Sequence, residues 1–372
     1  MNKNQLITEN NGYEQKEYTP NNKAKKLIAS ILAVTAGVSA VAVTSAVVFH
    51  DIFFSRYERP DYNIYPGEYC YDRVSSRLQR EEFYFLSGEN HLKGYFYPAN
   101  NSKGIVVIAH GIHAGADDYI PLIEYVVNGE FSVFSFDYTG TYDSEGESTV
   151  GMCQSLIDLH SALNYIKSNK KYSGQPLFLI GHSWGGYAVT SVLALHRDIT
   201  ACVGIAPMND GANMMIEKAT EHVGIIAQLP KPVFDTHQRL LFGNFVEYNG
   251  VKGINSVDCP VLIAQGLTDD VITYNGTSIT AKKNEITNPN VIYYDGVGTF
   301  GDHNNIWHSQ RSALYQEQIR KDILRLEQLK GKKLTYQEMV NYYKTVDHAL
   351  YSEVNKELMD LILSTFNGAL NK

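Results

Sequence analysis

Ser183, Asp269 and His303 are spread over roughly 120 positions, yet their types and order suit one chemistry: nucleophilic attack on an acyl carbon. A serine hydroxyl is a weak nucleophile at neutral pH, so it needs a base within hydrogen-bond reach and a third group to orient that base. Ser183 stands in the middle of Gly181-His182-Ser183-Trp184-Gly185-Gly186, between the apolar run 177–180 and helix-compatible text over 187–195. This reads as a buried strand, a very tight turn and a helix, with the serine at the tip. Positions two before and two after that serine must be tiny, because a Cβ there collides across the turn. Gly181 and Gly185 meet the demand, and Gly186 leaves room for close helix packing. The helix N-terminus behind the hydroxyl favours negative charge. Alone, the match is weak, since a glycine turn carrying an ordinary serine would read the same way. The partners decide.

Downstream, the apolar strand text 260–265 ends in Gly266-Leu267-Thr268-Asp269-Asp270-Val271. A carboxylate just past a strand end, three residues after a glycine, is placed to accept a bond from an imidazole. Asp269 is the first choice for the orienting acid and Asp270 the runner-up, against the plain reading of two solvated loop aspartates. The strand text 291–294 leads into a glycine-rich loop that ends at His303, which can swing over the serine as base. His308 is the competitor and is expected on the following helix. A tetrahedral intermediate also needs two N–H donors for its oxyanion. Trp184 N–H, at the helix start, is one. Ile112 N–H is the other, in the loop His110-Gly111-Ile112-His113-Ala114-Gly115 after the strand 106–108. His110 and His113 lack a nearby acidic ligand pattern, so no metal is expected. The chemistry calls for no cofactor.

Positioning such groups requires a sheet. The short runs 104–109, 131–136, 177–180, 201–205, 261–264 and 291–294 are rich in Val, Ile and Phe, and each is followed by a loop bearing Gly, Asp, Ser or His. Helical text lies between several of them; Leu156, Leu159, Leu163 and Ile166 recur on one helix face. Strands alternating with helices predict an α/β fold, a mostly parallel sheet with helices on both faces. Two alternating segments, 82–86 and 92–97, predict an antiparallel hairpin at one edge. Function in such sheets gathers at the carboxyl ends of the strands. The stretch 207–257 is far longer than an ordinary connection. It reads as a helical cap inserted over the site, with Met214, Met215 and Phe242 as candidate substrate contacts. Residues 310–372 predict a helical C-terminal extension whose last segment carries Leu358, Leu361, Ile362 and Phe366 at helical spacing.

The 372 residues carry a net charge of −8 with no basic stripe, which argues against nucleic acid as a partner. The four cysteines, Cys70, Cys153, Cys202 and Cys259, are far apart and form no metal or disulfide pattern; Cys202 and Cys259 read as core fillers. Residues 1–22 are polar and predict a disordered tail. Lys23, Lys25 and Lys26 then precede the charge-free run 27–49, long enough for a single transmembrane helix. The lysines predict a cytoplasmic N-terminus, with the catalytic domain outside the cell membrane. The alternative is secretion after signal-peptide cleavage near Ala40-Val41-Ala42. Residues 51–80, rich in Tyr, Pro and Asp, read as a linker between anchor and the domain 81–372.

With these residues in view, the sequence resembles α/β-hydrolases of the serine aminopeptidase, lysophospholipase and monoglyceride-lipase-like branch. The resemblance rests on HGIHAG at 110–115, FDYTGTYDSEGES at 136–148, GHSWGG at 181–186, PVLIAQGLTDDV at 260–271 and GDH at 301–303, in family order over roughly 80–310. It implies the α/β-hydrolase fold, Ser183 as nucleophile, Asp269 as orienting acid, His303 as base, and a cap between the strands at 201–205 and 261–264. One segment departs: after Asp137 the family pattern has Arg-Gly-His-Gly or similar, and here Tyr138-Thr139-Gly140-Thr141-Tyr142 stands instead. The expected activity is hydrolysis of a lipid-like or other acyl ester. An acyltransferase or serine peptidase on the same triad, and a non-catalytic binding protein on the same fold, are the alternatives.

Overall fold

A computed structural model describes residues 50, 52–223 and 231–371. Eight strands form one sheet: β1 (Glu81–Ser87), β2 (Asn90–Tyr97), β3 (Ile105–Ala109), β4 (Ser132–Phe136), β5 (Leu177–His182), β6 (Ala201–Ile205), β7 (Val261–Gly266) and β8 (Val291–Gly296). Their spatial order is β1-β2-β4-β3-β5-β6-β7-β8. The β1–β2 hairpin pairs antiparallel, as does β2 with β4, and every other pair is parallel. Both the parallel sheet and its antiparallel edge are therefore where the apolar runs put them.

Period-two alternation on a sheet covered twice explains why β3 to β7 read as unbroken apolar text. Ile105 and Val107 of β3 and Leu177 and Leu179 of β5 face one core. Val106, Ile108, Phe178 and Ile180 face the other. The first core is closed by α2 (Gln154–Ser168) and α3 (Trp184–Val192), through Leu156, Leu159, Leu163 and Ile166 of α2 among others. The second is closed by α1 (Ile120–Asn128) and the C-terminal helix α9 (Lys356–Leu370), whose Leu358, Ile362 and Phe366 are buried. The C-terminal extension is thus part of the core. Between β6 and β7 lie α4 (Gly211–Val223), α5 (Lys231–Phe242) and α6 (Gly250–Ile254); α7 (Gln310–Lys330) and α8 (Tyr336–Tyr343) precede α9.

The stretch expected as a linker, 51–80, differs from that expectation: its described residues are bound to the domain. Phe54, Tyr69, Val74 and Leu78 are buried. Arg56 donates to the carbonyls of Tyr142, Ser144 and Gly146. Arg59 bridges Asp117 at 2.5 Å and Asp143 at 2.8 Å, and Arg80 reaches Asp117 at 2.9 Å. Tyr, Pro and Asp read as loop formers, but here the aromatic rings bring apolar area to bury and the arginines find fixed carboxylates. Among the described residues no helix is long and apolar enough to cross a membrane. The expected span 27–49 lies outside the described residues, as do the N-terminal tail and 224–230 of the insertion.

Candidate active site

The tip of the β5–α3 turn is strained. Ser183 has φ 56° and ψ −114°, a region that costs a non-glycine residue about 1–3 kcal/mol. Neighbouring glycines make the turn possible. A Cβ on Gly181 would lie 2.2 Å from the Gly185 carbonyl oxygen, and one on Gly185 would lie 2.0 Å from the Ala109 carbonyl oxygen. Ser183 N–H donates to Ile205 O at 2.8 Å, tying the turn to β6.

The hydroxyl so displayed is 2.9 Å from His303 Nε2, and His303 Nδ1 is 2.8 Å from Asp269 Oδ2. The carboxylate oxygen accepts, so Nδ1 carries the proton and Nε2 turns its lone pair to the serine. Asp269 is itself fixed: Oδ1 accepts from the N–H groups of Val271 and Ile272, and Oδ2 also accepts from Gln265 Nε2 at 2.9 Å. All three residues are buried. The runner-up acid, Asp270, is exposed, with its carbonyl bonded by Lys218 Nζ of α4. His308, the competing base, is buried on the bridge to Val354 and precedes α7 instead of lying on it. Burial pushes its imidazole down to about 4.

Sequence reasoning passed over a second set of bonds. His182 Nε2 is 3.1 Å from the His303 carbonyl oxygen, and His182 Nδ1 is 2.8 Å from Tyr119 OH. A carbonyl only accepts, so Nε2 holds the proton, Nδ1 accepts from Tyr119, and Tyr119 oxygen accepts Gly111 N–H at 2.9 Å. One chain of bonds therefore runs from the base to the loop before Ile112. Burial, with the nearby His303 adding to it, lowers the His182 pKa to about 3, so it stays neutral. His182 adjoins the serine in the sequence and was legible as a neighbour; Tyr119 and Gln265 carried no signal.

Of the two expected oxyanion donors, Trp184 N–H is the first of α3 and has no intrahelical carbonyl to bond. Ile112 is half-buried in the loop after β3, packed on the core beneath the serine helix. His110 staples that loop: its Nε2 accepts from Tyr138 N–H at 3.1 Å, so Nδ1 donates to Gly111 O at 2.8 Å. Both ring nitrogens are engaged, and burial lowers its pKa to about 3, which keeps the ring neutral near pH 7. The departing segment fills space beside this loop. Tyr138 is fully buried, 4.0 Å between ring centroids from His110 and 5.1 Å from Trp184.

Met214, Met215 and Phe242 are all buried; the two methionines join the core that contains Trp184, and Phe242 packs on Gly151. The insertion is bonded to the acid loop, since Glu217 of α4 accepts from Thr273 at 2.6 Å. None of the four cysteines forms a disulfide among the described residues. Among the described residues no group of three or more His, Cys, Asp or Glu is arranged to hold a metal ion.

A family model described as serine aminopeptidase, S33 matches residues 100–244. An uncharacterized protein, YfhR, of Salmonella typhi is 28% identical over 225 residues, which cover 56% of this chain and 70% of that protein. Monoglyceride lipase of Homo sapiens is 31% identical over 104 residues, 28% of this chain and 34% of the lipase. Among solved structures, a Pyrococcus furiosus esterase superposes with a TM-score of 0.51 at 18% identity, covering 74% of this chain and 98% of that one. At that identity the likeness speaks to the fold.

Proposed function

We propose that this chain is an ester-cleaving serine hydrolase that works through an acyl-enzyme on Ser183, with His303 as base and Asp269 as its orienting acid, a reading supported by the family-model match over 100–244 and the likeness to monoglyceride lipase. The observation that carries the reading is the unbroken pair of contacts, 2.9 Å from Ser183 Oγ to His303 Nε2 and 2.8 Å from His303 Nδ1 to Asp269 Oδ2. His303 takes the hydroxyl proton as Oγ attacks the ester carbonyl. The oxyanion is met by the N–H groups of Ile112 and Trp184, since donors fixed before the reaction are where such sites gain most. His303 then passes its proton to the departing alcohol, and the acyl group stays on Ser183. Water, deprotonated by the same imidazole, attacks the ester; the acid leaves and Oγ regains its proton. Neutral His182 beside His303 adds no positive charge to oppose the imidazolium that forms.

The substrate in this reading is an uncharged, lipid-like acyl ester, which is supported by the apolar text of the insertion and by the buried Met214, Met215 and Phe242. A membrane anchor over 27–49, with the catalytic domain outside the cell, belongs to the same proposal and is supported by the charge-free run and the three lysines before it. Protease treatment of intact cells tests the orientation: the domain should be shaved off, and its protection would reverse the placement. For the chemistry, a series of p-nitrophenyl esters of rising chain length should show turnover that Ser183→Ala abolishes. Equal turnover by that variant would end the reading.

A further inference from the structure

The residues that flank the proposed oxyanion donors meet a segment that precedes the first strand. Residues 53–57 lie about 25 positions before β1, yet they pack against the loop after β3 and beside Trp184. Phe53 C=O is 2.9 Å from His113 Nε2, and since a carbonyl only accepts, the imidazole donates. The Phe53 ring stands edge-on to His113 at 5.3 Å, and the Tyr57 ring lies 5.6 Å away on the same imidazole. His113 directly follows Ile112, and its φ of 55° lies in the left-handed region, which is uncommon for a residue with a side chain. Next along the segment, the buried Phe54 ring lies 6.4 Å from Trp184, the residue that would supply the second donor.

The segment is well secured on its other side. Phe54 C=O accepts from Thr149 N–H at 2.8 Å and from Thr149 Oγ1 at 3.0 Å. Tyr57 N–H donates to Gly140 O and Tyr57 O accepts Tyr142 N–H, at 2.9 and 2.8 Å. A strap fixed to the 140–149 loop thus also makes a polar contact with the oxyanion loop, through Phe53 C=O and His113, and brings the Phe54 ring beside Trp184.

We propose that residues 53–57 are a positioning strap for the oxyanion hole, and that His113 is the positioning residue through which the strap sets Ile112 N–H. This rests on the reading that Ile112 and Trp184 N–H receive the oxyanion. His113 acts through its neighbour in this proposal: it holds the loop at the angle that aims the Ile112 N–H. Misplacement by a fraction of an ångström suffices to slow turnover, because donors act on where the oxyanion forms.

The test uses the full chain in detergent with p-nitrophenyl butyrate and three variants. His113→Ala removes the bond and keeps the backbone strain. His113→Gly removes both, since glycine accepts positive φ freely. His113→Gln restores a donor at about the reach of Nε2. The expected result is a fall in kcat on the order of 10-fold in the Ala and Gly variants with KM within about twofold, and recovery to within about threefold of wild type in Gln. Melting temperatures are read alongside. A His113→Gly variant with wild-type kcat would overturn the proposal, as would a loss carried by KM alone or a Gln variant no better than Ala. Were wild type itself to hydrolyse the ester no faster than Ser183→Ala, the ester-hydrolase reading would fail as well, and the two failures are told apart by that comparison.

Discussion

Asp269→Asn separates the orientation of the base from its presence. The substitution is isosteric, so the buried loop should keep its shape, and the outcome follows from counting donors. Asp269 Oδ1 accepts two backbone N–H groups, from Val271 at 2.9 Å and Ile272 at 2.8 Å, while Oδ2 accepts from His303 and Gln265. An asparagine must turn its oxygen to the two backbone donors, because its NH2 group would otherwise meet them head-on. The NH2 then faces His303 Nδ1 and donates to it. Gln265 keeps the bond from Nε2 to Ile272 O and loses the one to position 269, which now presents an NH2 group. His303 is thereby forced into the other tautomer, with its proton on Nε2 and no lone pair for Ser183. A wrong-tautomer base costs about 10⁴-fold in kcat, equivalent to ~5.4 kcal/mol of transition-state stabilisation. Steady-state hydrolysis of p-nitrophenyl butyrate measures kcat, and a thermal melt checks the fold. A folded Asp269→Asn variant within tenfold of wild type would refute the reasoning, and Asp270→Asn, at an exposed position, should leave kcat nearly unchanged.

Other predictions follow from the same geometry. Gly185→Ala sets a methyl 2.0 Å from the Ala109 carbonyl oxygen, so it should abolish activity or folding, whereas Gly186→Ala, whose nearest contact is 3.0 Å, should cost only about 1–3 kcal/mol in a denaturant titration. Tyr119→Phe strands Gly111 N–H and His182 Nδ1 inside the protein and should lower stability by about 1–3 kcal/mol, read from the urea midpoint. His182 has its folded pKa lowered to about 3 against an unfolded value near 6.5. The unfolded chain therefore binds the extra proton between those values, and the stability this group contributes is present above pH 6.5 and lost as pH falls towards 3. His182→Gln should remove that part of the acid sensitivity, so its deficit against wild type narrows as the pH is lowered through this window.

Much of the fold was legible because a doubly covered parallel sheet writes itself as short unbroken apolar runs, and all six runs became strands β3 to β8. Ser183, Asp269 and His303 were legible for a related reason: each stands at a strand's carboxyl end, where a glycine marks the turn. The strap at 53–57 was not. Its bonds are made by backbone groups and by Arg56 reaching loops some 60 to 90 positions away, and nothing in a Tyr- and Pro-rich text declares those partners. Tyr119 escaped for the same reason, since its hydroxyl serves His182 across a separation that periodicity does not record. His308 was expected on a helix because the charged helical text of α7 follows it, but Ser309 caps that helix and leaves His308 outside.

The central claim is that Ser183 Oγ, activated by His303, is the nucleophile that attacks the acyl carbon. Intact-mass and peptide analysis after treatment with a fluorophosphonate tests it directly. The account predicts one adduct per chain, on the peptide that contains Ser183, absent in Ser183→Ala and formed far more slowly in His303→Ala. A folded wild-type protein that takes up no adduct, or takes it up at another residue, would contradict it.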